Sequence, residues 1–135
     1  MSQLTDLIGL GMPPEQANVL SSETLSSAPA LSSSATLTAS GTTITDALTI
    51  TSFVNLVGTA ALNSGVKLPV DCPIGAQVWI ANNGANAIKV YAQSSQTLNT
   101  TIAGATGTSV ATTQAIQCVR QSATNWLAFV HTKAT

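Results

Sequence analysis

Two short runs of alternating apolar and polar residues, 76–81 and 87–92, stand on either side of Asn82-Asn83-Gly84-Ala85-Asn86. Asn-Gly tolerates positive φ at a tight turn, and period-two strands on both sides of it are the strongest short-range signal for a β-hairpin. The alternation turns Val78, Ile80, Ile88 and Val90 inward and leaves Trp79, Lys89 and Tyr91 on the opposite face. On paired strands Trp79 and Tyr91 share a parity, which makes them a candidate exposed aromatic patch for a subunit contact or a glycan.

The flanking sequence repeats this grammar. Residues 114–120 and 125–131 surround Gln121-Ser122-Ala123-Thr124 and predict a second hairpin, with Trp126 and Phe129 on opposite faces of its last strand. Leu48, Ile50, Val54 and Leu56 occupy one parity, with Thr49, Thr51 and Asn55 on the other, so the former are expected inside and the latter in water. Gly58 closes that strand. Residues 65–68 form a short one bounded by Pro69 and Pro73, and Leu98 and Ile102 are apolar pegs in the turn-rich stretch before another at 109–112. About seven short strands at close spacing argue for an all-β fold, an antiparallel β-sandwich or small barrel, and against a parallel α/β sheet.

The N-terminal third reads differently. Leu4, Leu7 and Ile8 make the stripe of a short amphipathic helix stopped by Gly9 and Gly11. Pro13 and Pro14 then suit the first turn of a second helix, on which Ala17 and Leu20 share a face. Helices this short are marginal alone, so their stripes need a surface to lie against. Residues 21–45 shift to Ser, Thr and Ala with isolated Leu25, Leu31 and Leu37, an extended arm within which Ala35-Thr-Leu-Thr-Ala39 suits a strand added to a sheet elsewhere. The expected organisation is a helical anchor at 1–20, an arm at 21–45 and a β domain at 46–135. Leu4, Leu7, Ile8, Leu20, Leu25, Leu31 and Leu37 are the candidate interface residues.

Charge narrows the function. Four Lys and Arg against five Asp and Glu, 7% of the chain, cannot neutralise a run of phosphates, so nucleic acid is excluded as a partner. Residues 1–20 carry no Lys or Arg and no apolar run of signal-peptide or membrane-span length, so neither export by that route nor a membrane is expected. Cys72 and Cys118 fall outside any C-x-x-C or Cys/His ligand spacing. They read as two buried small hydrophobes or, in an oxidising setting, as a disulfide, and no metal or other cofactor is expected. His131 is the only histidine, no acidic residue lies beyond Asp71, and Gly9-Leu-Gly-Met12 lacks the spacing and lysine of a phosphate loop. The chain is therefore read as a non-enzyme.

Gly65-Val-Lys-Leu-Pro69, Gly75-Ala-Gln-Val-Trp-Ile-Ala-Asn-Asn-Gly84, Ile88-Lys-Val-Tyr91, Leu98-Asn99 and the closing Trp126 together resemble small virion proteins of tailed bacteriophages, the decoration and fibre-like proteins with a compact β domain behind an N-terminal anchor. The stretch Ile8-Gly-Leu-Gly-Met-Pro-Pro-Glu-Gln-Ala17 looks like the start of small proteins encoded near phage head genes. One departure is that Ala92-Gln-Ser-Ser95 stands where such proteins carry proline and glycine after the Val-Tyr strand. The resemblance implies a structural role in the virion with no catalytic residue. It points to a capsid decoration or cement protein, a homotrimer holding the major capsid protein through its N-terminal arm, or alternatively to a tail-fibre module that recognises a host glycan.

Overall fold

The computed structural model describes residues 33–134, and over that range the chain contains strands and turns but no helix. The helices expected within residues 1–20 lie outside the described residues. The chain steps alternately between two sheets. It runs from β1 (Ser33–Ala39) in one to β2 (Leu48–Thr49) in the other, back to β3 (Val54–Ala60), across to β4 (Gly65–Lys67), back to β5 (Gln77–Asn82) and across to β6 (Ile88–Tyr91). β1, β3 and β5 stack in parallel in the first sheet, and β2, β4 and β6 stack in parallel in the second. Each step from one sheet to the other and back is a coil of about 20–25 residues, the geometry of a β-solenoid.

The remaining strands close this stack. β7 (Thr97–Leu98), β8 (Ile102–Ala103), β9 (Thr108–Val110), β10 (Gln114–Arg120) and β11 (Asn125–Thr132) complete sheets of order β1-β3-β5-β10-β11-β7-β8 and β2-β4-β6-β9. β10 runs antiparallel to both β5 and β11, and β9 antiparallel to β6. The fold is all-β, but its sheets are mixed in direction. The expectation of an antiparallel sandwich or barrel gives way to a solenoid with an antiparallel end.

The core lies between the two sheets. Val57, Val66, Val78, Val90, Val110, Ile80, Ile116, Leu98, Cys118 and Trp126 are fully enclosed, and burying each large aliphatic side chain is worth about 1.5–3 kcal/mol. Cys118 and Ile116 of β10 sit opposite Val78 and Ile80 of β5, so inward parity continues from the coils into the closing strands. The Trp126 indole donates to Gln96 Oε1 at 2.8 Å, which satisfies its buried N–H, and the Arg120 guanidinium lies 5.9 Å from the ring centroid.

The expected hairpin at residues 82–86 does not form. β5 and β6 belong to different sheets, and residues 83–87 turn a solenoid corner. Inward alternation survives, since Val78, Ile80, Ile88 and Val90 are all buried, because the same parity serves a hairpin and a strand pair facing across a core. The buried Asn82 amide makes the corner. Its Nδ2 donates to the carbonyls of Asn86 (2.9 Å) and Val110 (3.0 Å), and its Oδ1 accepts from the Gly84 amide (2.9 Å). Gly84 is not in the positive-φ region. Glycine is required there because a Cβ would stand 2.7 Å from Ala60 Cβ in the coil beneath.

A second correction concerns β3. Val54 and Leu56 face outward, while Asn55 and Val57 are buried. Asn55 goes inside because its Nδ2 donates to the carbonyls of Ser52 (2.8 Å) and Trp79 (3.1 Å), tying the bend before β3 to the next coil. The expected hairpin of residues 114–120 and 125–131 is present as β10 and β11, with Gln117 opposite Phe129.

Candidate assembly face

The outward residues of the first sheet form ordered rows. Register places Val54 of β3 beside Trp79 of β5, Trp79 beside Gln117 of β10, and Gln117 beside Phe129 of β11. Three of these four are exposed apolar side chains: Val54 at 53%, Trp79 at 37% and Phe129 at 48%. On one side Leu56, Ala81, Ala115 and His131 make the next row, and on the other Gln77, Val119 and Leu127. No charged residue occupies any of these positions.

Stacking and amides give the face its shape. Trp79 and His131 stack with centroids 5.5 Å apart and planes 29° from parallel. Gln117 Nε2 donates to Gln77 Oε1 at 3.0 Å, and the Gln117 Oε1 lies 3.4 Å from His131 Nε2. Two nearby cations are directed elsewhere. Lys133 Nζ donates to the Asn82 carbonyl (2.6 Å) and to Asn83 Oδ1, and Arg120 Nη1 to the Cys72 carbonyl (2.5 Å). The result is a neutral surface of aliphatic and aromatic groups with amides between them, the chemistry of an interface core.

Trp79 and Tyr91 do not make a joint patch. Trp79 lies on the outer face of the first sheet. Tyr91 lies in the second sheet and is only 4% exposed, its ring against Gly65, where a Cβ would meet the ring at 2.6 Å. Its hydroxyl donates to the Thr42 carbonyl at 3.0 Å. The pairing expected from shared parity fails because the two strands are not neighbours. Leu37 is half-buried in β1 and packs against the domain's own core. Leu4, Leu7, Ile8, Leu20, Leu25 and Leu31 lie outside the described residues. Val54, Gln117 and His131 carry no signal in the sequence that marks them as members of this face. Register, which places Phe129 two strands from Trp79, was the missing piece.

Neither thiol is disulfide-bonded, and both lie in the core. Burial pushes Cys118 up to about 12 and also raises Cys72, against which the Arg120 charge acts in the opposite direction. Among the described residues no three His, Cys, Asp or Glu side chains are grouped to hold a metal ion, and no helix is long and apolar enough to cross a membrane. No family profile, curated protein or solved structure matches the chain.

Proposed function

We propose that this chain is a non-enzymatic structural protein of a tailed-bacteriophage particle, a capsid decoration or cement protein that assembles as a homotrimer through the outer face of its first sheet. The observation that carries the reading is the uncharged row of Val54, Trp79, Gln117 and Phe129. Three exposed apolar side chains in one row across four strands are costly to leave in water and fit a protein–protein contact. The virion assignment draws on the resemblance of residues 65–126 to small phage decoration and fibre-like proteins. In this reading the anchor toward the major capsid protein lies within residues 1–32, because Ser33–Ala39 is already committed to the sheet as β1. Three weak anchors on one trimer would reinforce each other by avidity.

Light scattering coupled to size exclusion tests the assembly. The full chain should elute as a trimer, and a Trp79→Lys, Phe129→Lys double variant as a folded monomer. A monomeric wild-type chain, or a double variant that stays trimeric, removes this face from the reading.

A second reading, a tail-fibre module for a host glycan, draws on Trp79 alone. Its ring is partly open and is flanked by Gln77, Gln117 and His131, and an aromatic face bordered by amides suits a sugar. Glycan binding that disappears in Trp79→Ala while trimerisation persists would favour this reading over the first.

A further inference from the structure

We propose that Asn83 is a latent deamidation site, held shut in the folded protein by Lys133 and Asn82. An asparagine followed by glycine is intrinsically prone to this reaction, because no side chain on the next residue hinders ring closure. Asn83 is exposed and is followed by Gly84. The Gly84 backbone nitrogen, once it loses its proton to solvent hydroxide, attacks Asn83 Cγ. The new N–Cγ bond closes a succinimide as the Cγ–NH2 bond breaks and ammonia leaves. Water then opens the ring at either carbonyl, leaving an aspartyl or isoaspartyl linkage at position 83.

The nucleophile and the oxygen of the reacting amide are both engaged. The Gly84 N–H is donated to Asn82 Oδ1 at 2.9 Å, so the nucleophile is hydrogen-bonded to a side chain that is itself fully buried. The Asn83 N–H is donated to the Val57 carbonyl at 2.8 Å, which fixes the backbone on the coil beneath. The electrophilic amide is held at its Oδ1 by Lys133 Nζ, which also binds the Asn82 carbonyl at 2.6 Å. Lys133 is held in turn by its own N–H on the Thr113 carbonyl at 2.9 Å. The end of the last strand thus latches a corner some fifty positions earlier in the chain.

Opening the latch has a structural consequence. An isoaspartyl linkage inserts an extra carbon into the backbone immediately before Gly84, whose fit against Ala60 already excludes a Cβ. The modified corner cannot keep both the Asn82 bond and that fit. Position 83 would then act as a slow clock for fraying of the β5-to-β6 step.

The test is peptide mapping by mass spectrometry on the full-length folded chain, incubated at mildly alkaline pH, following the small mass gain from replacing an amide NH2 by OH. Asn63, which precedes Ser64, is the internal reference. In the wild type, position 83 should react far more slowly than in the urea-unfolded chain. Lys133→Ala should speed position 83 about tenfold in the folded protein, the effect of losing one hydrogen bond to a charged group. It should leave position 63 unchanged, and Lys133→Arg should stay close to wild type. A rate at position 83 in Lys133→Ala equal to that of wild type overturns the latch, and so does a slower one, which would mean that the cation polarises the Asn83 carbonyl for attack instead of restraining it; a native rate matching the unfolded one overturns it too. A rise at both 63 and 83 marks general unfolding and also overturns it.

Discussion

The hydroxyl of Tyr91 donates to the carbonyl of Thr42 at 3.0 Å and so ties the second sheet to the loop between β1 and β2, from the opposite side of the strand to the core. The ring beneath that bond lies over Gly65 of the neighbouring strand, in space that any side chain there would take. Tyr91 is therefore a strut between coils.

This relationship predicts two graded effects. Tyr91→Phe removes only the hydroxyl bond and should cost about 1 kcal/mol of stability. Tyr91→Ala empties the volume over Gly65 and should cost about 3–5 kcal/mol. Urea unfolding followed by circular dichroism checks both, and equal losses in the two variants would count against the ring's packing role.

The corner gives a second prediction. Asn82→Ala leaves the Asn86 and Val110 carbonyls and the Gly84 amide without their partner, at about 1–3 kcal/mol for each buried group. Gly84→Ala should cost about 1–3 kcal/mol through the clash with Ala60. An Ala60→Gly background should recover only part of that loss in the same unfolding measurement, because the Ala60 backbone nitrogen also stands 2.9 Å from the added Cβ.

Cys118 makes stability fall in alkali. Burial pushes its pKa up to about 12, above the ordinary thiol value of 9.0, so the folded thiol stays neutral while the unfolded chain ionises. The contribution is complete below the unfolded value and is lost as pH rises through the window toward 12, at up to about 1.4 kcal/mol per pH unit. Melts across that range should fall more steeply for wild type than for Cys118→Ala.

Asp46 acts at the other end of the scale. The Thr43 hydroxyl (2.6 Å) and then the Thr43 amide (2.7 Å) hydrogen-bond its carboxylate and hold it below the ordinary 3.8. This contribution is present above 3.8 and disappears as pH falls through the lowered value. Asp46→Asn should flatten the acid limb of the pH–stability curve by lowering its neutral plateau, leaving stability below the lowered value nearly unchanged.

The sequence carries the parity of β5 and β6 and sets Trp126 and Phe129 on opposite faces of β11, because period-two alternation is local. It does not carry partnership. Residues 82–86 look like a hairpin turn because Asn and Gly serve any sharp change of direction, and what separates a hairpin from a solenoid corner is the buried Asn82 amide reaching Val110, a contact distant in sequence. β3 was inverted because composition favours Val54 over Asn55 for the interior. The choice is reversed by the Ser52 and Trp79 carbonyls that Asn55 satisfies, and these exist only once the next coil is stacked. The exposed row on the outer sheet face is not legible in the sequence for the same reason. Val54, Trp79, Gln117 and Phe129 become a row only through pairings among four strands.

The antiparallel β9 and β10 lie where a further coil would otherwise continue from β6 and β5. At this end the first sheet finishes in β8, two residues long, and the second in β9 itself, three residues long, edges too short to template another chain. Growth of a filament by head-to-tail stacking needs two complementary ends, and the chain's own last strands have capped one of them. This polarity makes the closing end of the described sheets a terminator: stacking along the solenoid axis finds no strand edge of useful length to continue from there.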